Sequence, residues 1–483
     1  MKRPRDLLGT HAVLCATLLL AACGEQTATL QRDARTGSDQ TLDLNTARDA
    51  RVSDALIADG VTADGGSQGD GATLKATGAV CKTAGECQTG YCTDGVCCGS
   101  AACPACESCA ISGKEGACHD MAAVCAPFLC DIKTSQCLDS CTFDKGCVQD
   151  SVCDRSQAHA TGKGICVAPA QVVTVTSTIQ KAINTATPTQ THFKLTDSRY
   201  DETIDIPTDR TVNLIAARST MAAISAKQGS AGVPPLRLSD GAIVSLQNIT
   251  LRDAHDVAGF GLHCLALKTP GQISLIESAV SDNSATGILA NGCHLTVRRT
   301  RIERNDGGID FDGGNIGGRL VVTNSIIAEN GRCVGLITPL GCSAVAGTGG
   351  VYINSAAAVD FAHNTVANNF AERGFSGSAK VASGLICANQ SVTIYNTIVE
   401  KNHTVHNQSN VEQVAQAFGC SITPAVASGN CELNSAYQLV PPSPLCVDGG
   451  TSLASTKIQL LLDIANGPRD KGTPPDLGPH ELK

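Results

Sequence analysis

Three aspartates and one arginine lie close together in a short stretch of the chain, and their side chains could support catalysis or metal binding. They are Asp306, Asp310, Asp312 and Arg319. Residues two apart in a strand point to the same face, so Asp310 and Asp312 would lie side by side. Paired carboxylates can hold calcium or act as general acid and base, with a basic residue assisting. The pattern favours solvated turn aspartates without catalysis, and Asp310, Asp312 and Arg319 are the candidates if the chain is catalytic.

Other catalytic signatures are missing from the sequence. His255 and His263 stand alone, and the chain contains neither a Gly-x-Ser-x-Gly elbow nor a His-Glu-x-x-His run.

The net charge of −9 argues against a nucleic-acid partner, whose phosphates require a basic surface. With no tryptophan and five tyrosines, the chain has few aromatic platforms for sugar rings, so glycan recognition would rely on Asn and Asp. The ligand, whether protein or glycan, stays unknown.

Cysteine is the other residue type in this chain whose side chain could bind a metal or form covalent bonds. Sixteen of the 26 cysteines lie in the 86 residues between Cys81 and Cys166, a density typical of a disulfide scaffold. The spacing Cys103-x-x-Cys106-x-x-Cys109 could instead hold zinc or an iron–sulfur cluster. We expect structural disulfides and no cofactor here, and the connectivity cannot be read from the spacing.

The first residues have the pattern of an export signal. A basic segment, residues 1–5, precedes an apolar run from Ala12 to Ala22, which ends in Leu20-Ala21-Ala22-Cys23. This resembles a bacterial lipoprotein signal peptide (residues 1–22), which implies cleavage before Cys23 and its acylation. The run is too short to span a bilayer as a helix. Since Gly24 stands where an aspartate would retain the protein at the inner membrane, the resemblance implies the outer membrane or cell surface.

Two segments of different composition follow the signal. Residues 23–80 are rich in Asp, Ala, Thr, Gly and Ser and lack aromatics, which predicts a disordered acidic tether. Its Asp-Gly pairs could bind calcium, but their spacing fits no EF-hand loop. Residues 81–168 form the cysteine-rich module, and the stretch from Gly90 to Cys98 resembles Dickkopf-type and EGF-like modules. Export favours disulfides in this module.

The stretch from Val244 to Asn402 repeats one pattern six times. Two alternating apolar residues are followed by a polar slot, a third apolar residue and usually an asparagine. The polar slots are Asn248, Glu277, Arg299, Asn324, His363 and Asn396. Their spacings of 29, 22, 25, 39 and 33 residues indicate a solenoid of constant units with variable connections. The alternation predicts strands in each unit.

A second strand entered through glycine recurs between these segments, as in Gly287-Ile288 and Gly308-Ile309. Together the two patterns resemble the right-handed parallel β-helix, or pectin-lyase-like, superfamily. This implies an all-β solenoid with stacked coils. Stacking predicts a buried apolar column and a ladder of hydrogen-bonded asparagines at the turns. The predicted column is Leu246, Leu275, Val297, Val322, Phe361 and Ile394.

The glycine-led strands also predict which side chains face outward. The first outward column would be His263, Leu289, Asp310, Tyr352 and Ile386. The second would be Ala266, Asn291, Asp312, Asn354 and Ala388. In β-helix lyases and hydrolases, stacked carboxylates on such a face cut acidic polysaccharides. Here no carboxylate has a carboxylate neighbour on the adjacent coil, which favours a non-catalytic face.

Both ends of the predicted β-helix, residues 170–483, carry capping signals. Ser177 and Gln180 form a capping-box pattern that predicts a short helix over the open first coil. The C-terminal motifs resemble the choice-of-anchor Q group of bacterial β-helix proteins, with Leu477 and Pro479 departing from its usual ending. These motifs are Cys446–Gly450, Asp463–Arg469 and Pro475–Glu481. The group implies attachment to the envelope, here through Cys23.

Eight cysteines fall in the β-helix and are disulfide candidates. Bridges between Cys264 and Cys293, on successive coils, and between Cys333 and Cys342, around one loop, are the simplest pairings. The eight are Cys264, Cys293, Cys333, Cys342, Cys387, Cys420, Cys431 and Cys446.

These features predict an envelope lipoprotein held in the membrane by Cys23. Its β-helix rod would be a structural, adhesive or interaction surface without catalysis. The alternative is a polysaccharide lyase or glycoside hydrolase acting on acidic glycans, with calcium as a possible cofactor.

Overall fold

The computed structural model describes residues 73–437, with gaps at 135, 143–144, 157–162, 217–220, 228–231, 256–258, 332–348, 355, 357, 373–382, 389–391, 407–409, 413–416, 424–430 and 432. The cysteine-rich module and the solenoid belong to one unit that begins at Ala72. The predicted signal peptide, Cys23, Cys333, Cys342, Cys446 and the C-terminal motifs lie outside the described residues.

Three long parallel sheets, here called A, B and C, form the solenoid. From the second to the ninth strand of sheet A, each coil contributes one strand to each sheet in that order. Sheet A contains Val172–Val175, His192–Leu195, Thr211–Ala216, Ile243–Gln247, Gln272–Ile276, His294–Arg298, Arg319–Thr323, Ala358–Ala362, Val392–Tyr395 and Cys420–Thr423. Sheet B contains Arg199–Asp201, Ala222–Ser225, Ile249–Arg252, Ala279–Ser281, Arg301–Glu303, Ile326–Ala328, Thr365–Ala367 and Ile398–Glu400. Sheet C contains Ile204–Ile206, Leu236–Leu238, Leu262–Leu265, Thr286–Asn291, Gly307–Asp312, Val351–Asn354, Leu385–Ala388 and Ala417–Phe418. The predicted parallel β-helix is confirmed.

The predicted apolar column is also confirmed, in register, along the inside of sheet A. Leu246 pairs with Leu275, and the pairing continues through Val297, Val322, Phe361 and Ile394. All six side chains are fully buried. Because strand residues alternate between two faces, this register places every second side chain of sheet A in one continuous core.

The polar slots form the corner between sheets A and B. All six have positive φ, between 45° and 60°. Left-handed backbone is costly for most residues and least so for Asn, which explains why Asn fills three of the six positions. His363 is one of these corner residues, and it lies 3.3 Å from the Asn396 side-chain amide. Its role is therefore structural.

The predicted asparagine ladder lies at the corner between sheets B and C. Its members are the fully buried Asn283, Asn305, Asn330, Asn369 and Asn402. Each side-chain amide donates to the Oδ1 of the next asparagine at 2.8–3.0 Å. The same Oδ1 atoms accept backbone N–H groups of the preceding asparagines at 3.0–3.2 Å. The ladder thus satisfies buried backbone groups that no strand reaches.

A short helix, Ile179–Thr185, covers the first coil as predicted, with Ile179 and Ile183 buried in the core. The predicted cap was wrong by one residue, because Thr178 accepts the Lys181 N–H. Gln180 does not close a capping box and instead binds the backbone of Asp205 on the coil below.

The cysteine-rich module is a chain of small antiparallel strand pairs cross-linked by disulfides. The pairs are Cys92–Thr93 with Val96–Cys97, Glu107–Ser108 with His119–Asp120, Cys130–Asp131 with Gln136–Cys137, and Val152–Asp154 with Ile165–Val167. Its helices are Ala84–Glu86, Ala122–Cys125 and Pro169–Gln171. The bridges are 81–92, 87–97, 98–109, 103–118, 106–130, 125–137, 141–153 and 147–166.

Further disulfides link coils of the solenoid, joining Cys264 to Cys293 and Cys387 to Cys420.

Three short strands, Phe370–Glu372, His403–His406 and Asn410–Glu412, form a small separate sheet. Long insertions fall between sheets B and C, which explains how the spacing of the repeats varies while the core stays regular.

Candidate functional site

The cysteine-rich module packs against the outer face of sheet A at the first coils of the solenoid. Gln247, which points outward from this sheet, accepts the Arg155 N–H at 2.8 Å and donates to the Cys153 carbonyl at 3.0 Å. Lys194 donates to the carbonyls of Gln149 and Ser151 at 2.9 and 3.1 Å. The cysteine-rich module therefore packs directly against the β-helix.

A buried ion cluster strengthens this contact. Arg155, from the module, pairs with Glu277, which also accepts Arg299 Nε at 3.0 Å. The Arg155 and Arg299 side chains are only 2% and 6% exposed. Burial, with a further effect of the Arg299 charge, lowers the pKa of Arg155 to about 10. Both arginines still carry a full charge at neutral pH, so Glu277 is their required counter-ion.

The outer face of sheet B is covered differently along its length. On the first coils it carries surface ion pairs, including Arg199 with Asp201 at 2.7 Å. Farther along, the outward residues Ile326, Ala328 and Ala367 are buried beneath Tyr437 and Leu433. The Tyr437 hydroxyl donates to Glu329 Oε1 at 2.7 Å. A segment beyond the last coil thus folds back over this sheet.

The outer face of sheet C carries a mixed column of charged, polar and apolar side chains. The strand register aligns Asp205, Arg237, His263, Leu289, Asp310, Tyr352, Ile386 and Phe418. From Asp205 to Tyr352 these side chains are exposed or half-buried. The predicted second column contained one error, because Leu265 and not Ala266 pairs with Asn291. Ala266 follows the strand and is buried.

Asp310 and Asp312 lie at the centre of this face, as predicted. Their register neighbours are Leu289 and Tyr352 for Asp310, and Asn291 and Asn354 for Asp312. Burial raises the pKa of the Asp310 carboxyl, and the Asp312 charge raises it further. Burial and these two aspartates also raise the pKa of Tyr352. In the strand register, each aspartate thus lies between two uncharged side chains.

Asp312 is held by local hydrogen bonds. Its Oδ1 accepts the Gly314 N–H at 2.9 Å, and its Oδ2 accepts the Asn354 amide at 3.1 Å. Arg319 does not join this group. It begins the next strand of sheet A, and its guanidinium pairs with Asp360 on the adjacent coil. The structure therefore brings together Asp310 and Asp312 but directs Arg319 to a different partner.

The cysteines that could have held a metal are in disulfides. Cys103, Cys106 and Cys109, the predicted alternative site, belong to three separate bridges. The sulfur atoms of Cys98, Cys103, Cys109 and Cys118 lie within 4.8 Å of one another. Zinc and iron–sulfur clusters require thiolates, which these paired sulfurs do not provide.

Sequence patterns did not reveal Gln247, Arg155 or Tyr437 as contact residues, since each meets its partner from a distant part of the chain. In the described ranges, the helices are too short and too polar to cross a bilayer. Comparison of the chain with protein-family models, curated proteins and solved structures finds no match.

Proposed function

We propose that this chain is a bacterial envelope lipoprotein anchored through acylated Cys23, whose β-helix presents sheet C as a non-catalytic interaction surface. The pattern Leu20-Ala21-Ala22-Cys23 supports the anchor. The C-terminal motifs support membership of the choice-of-anchor Q group, and the outer membrane or cell surface is the proposed location. The partner is a protein or glycan of the envelope or its surroundings.

The observation that carries this proposal is the unequal covering of the three outer faces. The module covers the first strands of sheet A, as at Gln247, and Tyr437 helps to cover the later strands of sheet B. Sheet C keeps exposed or half-buried Arg, His, Leu, Asp and Tyr side chains in one column. Aromatic residues and arginine are enriched at interaction surfaces, and this column contains Arg237 and Tyr352.

A specific observation favours the alternative of a polysaccharide lyase or hydrolase. Asp310 has a raised pKa and lies beside Tyr352 on an outer face, which are properties of catalytic acids. However, Asp310 lacks a second carboxylate on the next coil, and Arg319 is paired with Asp360. The arrangement therefore supports binding better than cleavage.

Site-specific photo-crosslinking on intact cells tests the interaction face. A crosslinking residue at Leu289, on sheet C, should give a discrete adduct of higher mass. The matched position Thr250 points outward from sheet B and should give none. Equal labelling at both positions, or none at either, would argue against sheet C as the interaction face. Metabolic labelling with palmitate, present in the wild type and absent in Cys23→Ser, tests the anchor separately.

A further inference from the structure

A cleft of about 560 Å³ opens at the N-terminal end of the outer face of sheet C. This volume lies in the range of small-molecule sites. Arg237 and His263, neighbours in register on successive coils, form part of its lining. The cleft thus continues the column that runs on to Asp310.

The walls and rim of the cleft are apolar. Val233, Pro234 and Phe260 contribute to the walls, and the Phe260 ring lies 5.4 Å from the His263 ring. Leu265 and Leu267, at 43% and 71% exposure, also line it. Among the described residues of the β-helix, the exposed large apolar side chains are these two leucines and Met221. Their concentration here marks an apolar surface that a ligand would cover.

Arg237 is the polar group of the cleft that could bind an anion. Arg237 Nε donates to Asp205 at 2.7 Å, and in the described part of the chain its terminal nitrogens have no hydrogen-bond partner. Burial lowers the pKa of His263, and the Arg237 charge lowers it further. The lowered pKa of His263 thus reflects both its half-buried position and its nearness to Arg237.

The acidic residue of the lining does not oppose this charge directly. Asp240 Oδ1 accepts the backbone N–H groups of Leu267 and Lys268 at 2.6 and 3.1 Å. These hydrogen bonds lower the pKa of Asp240 and tie its carboxylate into the turn. The donors open to a ligand are then the terminal nitrogens of Arg237, which lie beside apolar walls.

We propose that this cleft binds a small amphipathic anion, with an aromatic or other apolar body and one carboxylate or sulfonate group. The anionic group would accept the terminal N–H groups of Arg237, a charge-assisted contact. The apolar body would lie against Phe260 and cover Leu265 and Leu267. The cleft proposal rests on the proposed function, because the cleft lies on the same face of sheet C. The two are tested separately, since probe binding needs neither the lipid anchor nor the cellular partner.

Two fluorescent probes that differ by one charged group test the proposal. 8-Anilinonaphthalene-1-sulfonate carries the sulfonate, and N-phenyl-1-naphthylamine is its uncharged analogue. The protein is residues 23–483 with Cys23→Ser, exported behind a signal sequence that is cleaved without lipid attachment. Arg237→Gln should weaken binding of the sulfonate about tenfold and leave the uncharged probe within about twofold. Leu267→Ser should weaken both probes, by roughly threefold.

Arg199→Gln is the matched control. Arg199 is also exposed and also donates from Nε to an aspartate at 2.7 Å, but it lies on sheet B, outside the cleft. This variant should bind both probes as the wild type does. The proposal is overturned if the wild type binds neither probe. It is also overturned if Arg237→Gln leaves sulfonate affinity unchanged, or if Arg199→Gln lowers it equally.

Discussion

The side-chain amide of Asn305 donates to Oδ1 of Asn330, on the next coil, at 3.0 Å, and both residues are fully buried. The same Oδ1 also accepts the Asn305 backbone N–H at 3.1 Å. Asn330 in turn donates to Asn369 and to the Ile302 carbonyl. One side chain thus joins three consecutive coils, so the ladder is a main stabilising element of the solenoid.

Replacing a ladder asparagine should therefore cost more than one ordinary hydrogen bond. Asn330→Ala leaves the Asn305 N–H and amide groups buried without their acceptor, and we expect a loss of about 2–4 kcal/mol in unfolding free energy. Urea unfolding followed by circular dichroism measures this. The control is Asn291→Ala, at an exposed position of sheet C, which should change stability by less than about 0.5 kcal/mol. Equal effects of the two variants would contradict the ladder's role.

The buried ion cluster gives a second prediction. Glu277→Ala removes the counter-ion of Arg155 and Arg299 and should destabilise the protein by about 3–5 kcal/mol, because two buried charges lose their partner. Limited proteolysis should then cut the module sooner than in the wild type.

Asp201→Ala is the matched control for Glu277→Ala. It breaks an ion pair with Arg199 in which both side chains are more than half exposed. Exposed pairs contribute less than about 1 kcal/mol, so this variant should unfold and resist protease like the wild type. If Glu277→Ala behaved in the same way, the module would not depend on this cluster.

Residue periodicity predicted the parts of the fold that repeat from coil to coil. Leu246 and Leu275 fall in one column because strands alternate faces, and stacking repeats this pairing in every coil. The asparagine ladder follows from the same repetition. Gln247 and Tyr437 could not be predicted, because each makes a single contact between segments with no common pattern.

The positions of the candidate site residues were likewise predicted only in part. The pattern placed Asp310 and Asp312 on one face, since both belong to one strand. Arg319 follows them closely in sequence but begins a strand of another sheet, where Asp360 is its register-shifted neighbour. Sequence proximity misled here because the chain turns a corner between sheets C and A.

The disulfides give a third prediction. Every cysteine among the described residues is in a bridge, and the sequence predicts that Cys333, Cys342 and Cys446 are bridged as well. Thiol titration of the denatured, unreduced protein should then find no stoichiometric thiol once Cys23 is acylated. Elemental analysis should also find no stoichiometric zinc, because bridged sulfurs bind it poorly. One or more titratable thiols per chain, or one zinc per chain, would show that the bridges form incompletely.

The raised pKa of Asp310 predicts a pH-dependent effect of its replacement. When a carboxyl has a higher pKa in the folded than in the unfolded protein, the protein loses stability as the pH rises. The loss begins near the unfolded pKa of 3.8 and is complete above the folded pKa. Asp310→Asn removes this loss, so the variant should match the wild type at about pH 3 and exceed it by up to about 1 kcal/mol at pH 7. Thermal unfolding across this pH range measures the difference.

Asp312→Asn serves as the control, because Asp312 accepts hydrogen bonds from Gly314 and Asn354. Its replacement should give no gain at neutral pH. A less stable Asp310→Asn variant at pH 7 would mean that the carboxylate has a favourable partner, such as a bound cation.

The proposal that sheet C is a non-catalytic face is tested most directly with acidic polysaccharides as substrates. The wild type and the Asp310→Asn/Asp312→Asn double variant are incubated with them at neutral pH, with and without calcium, and unsaturated and reducing sugar ends are measured. A non-catalytic face predicts that neither protein releases ends above a heat-denatured control. Release by the wild type that the double variant lacks would contradict this and establish the enzyme alternative.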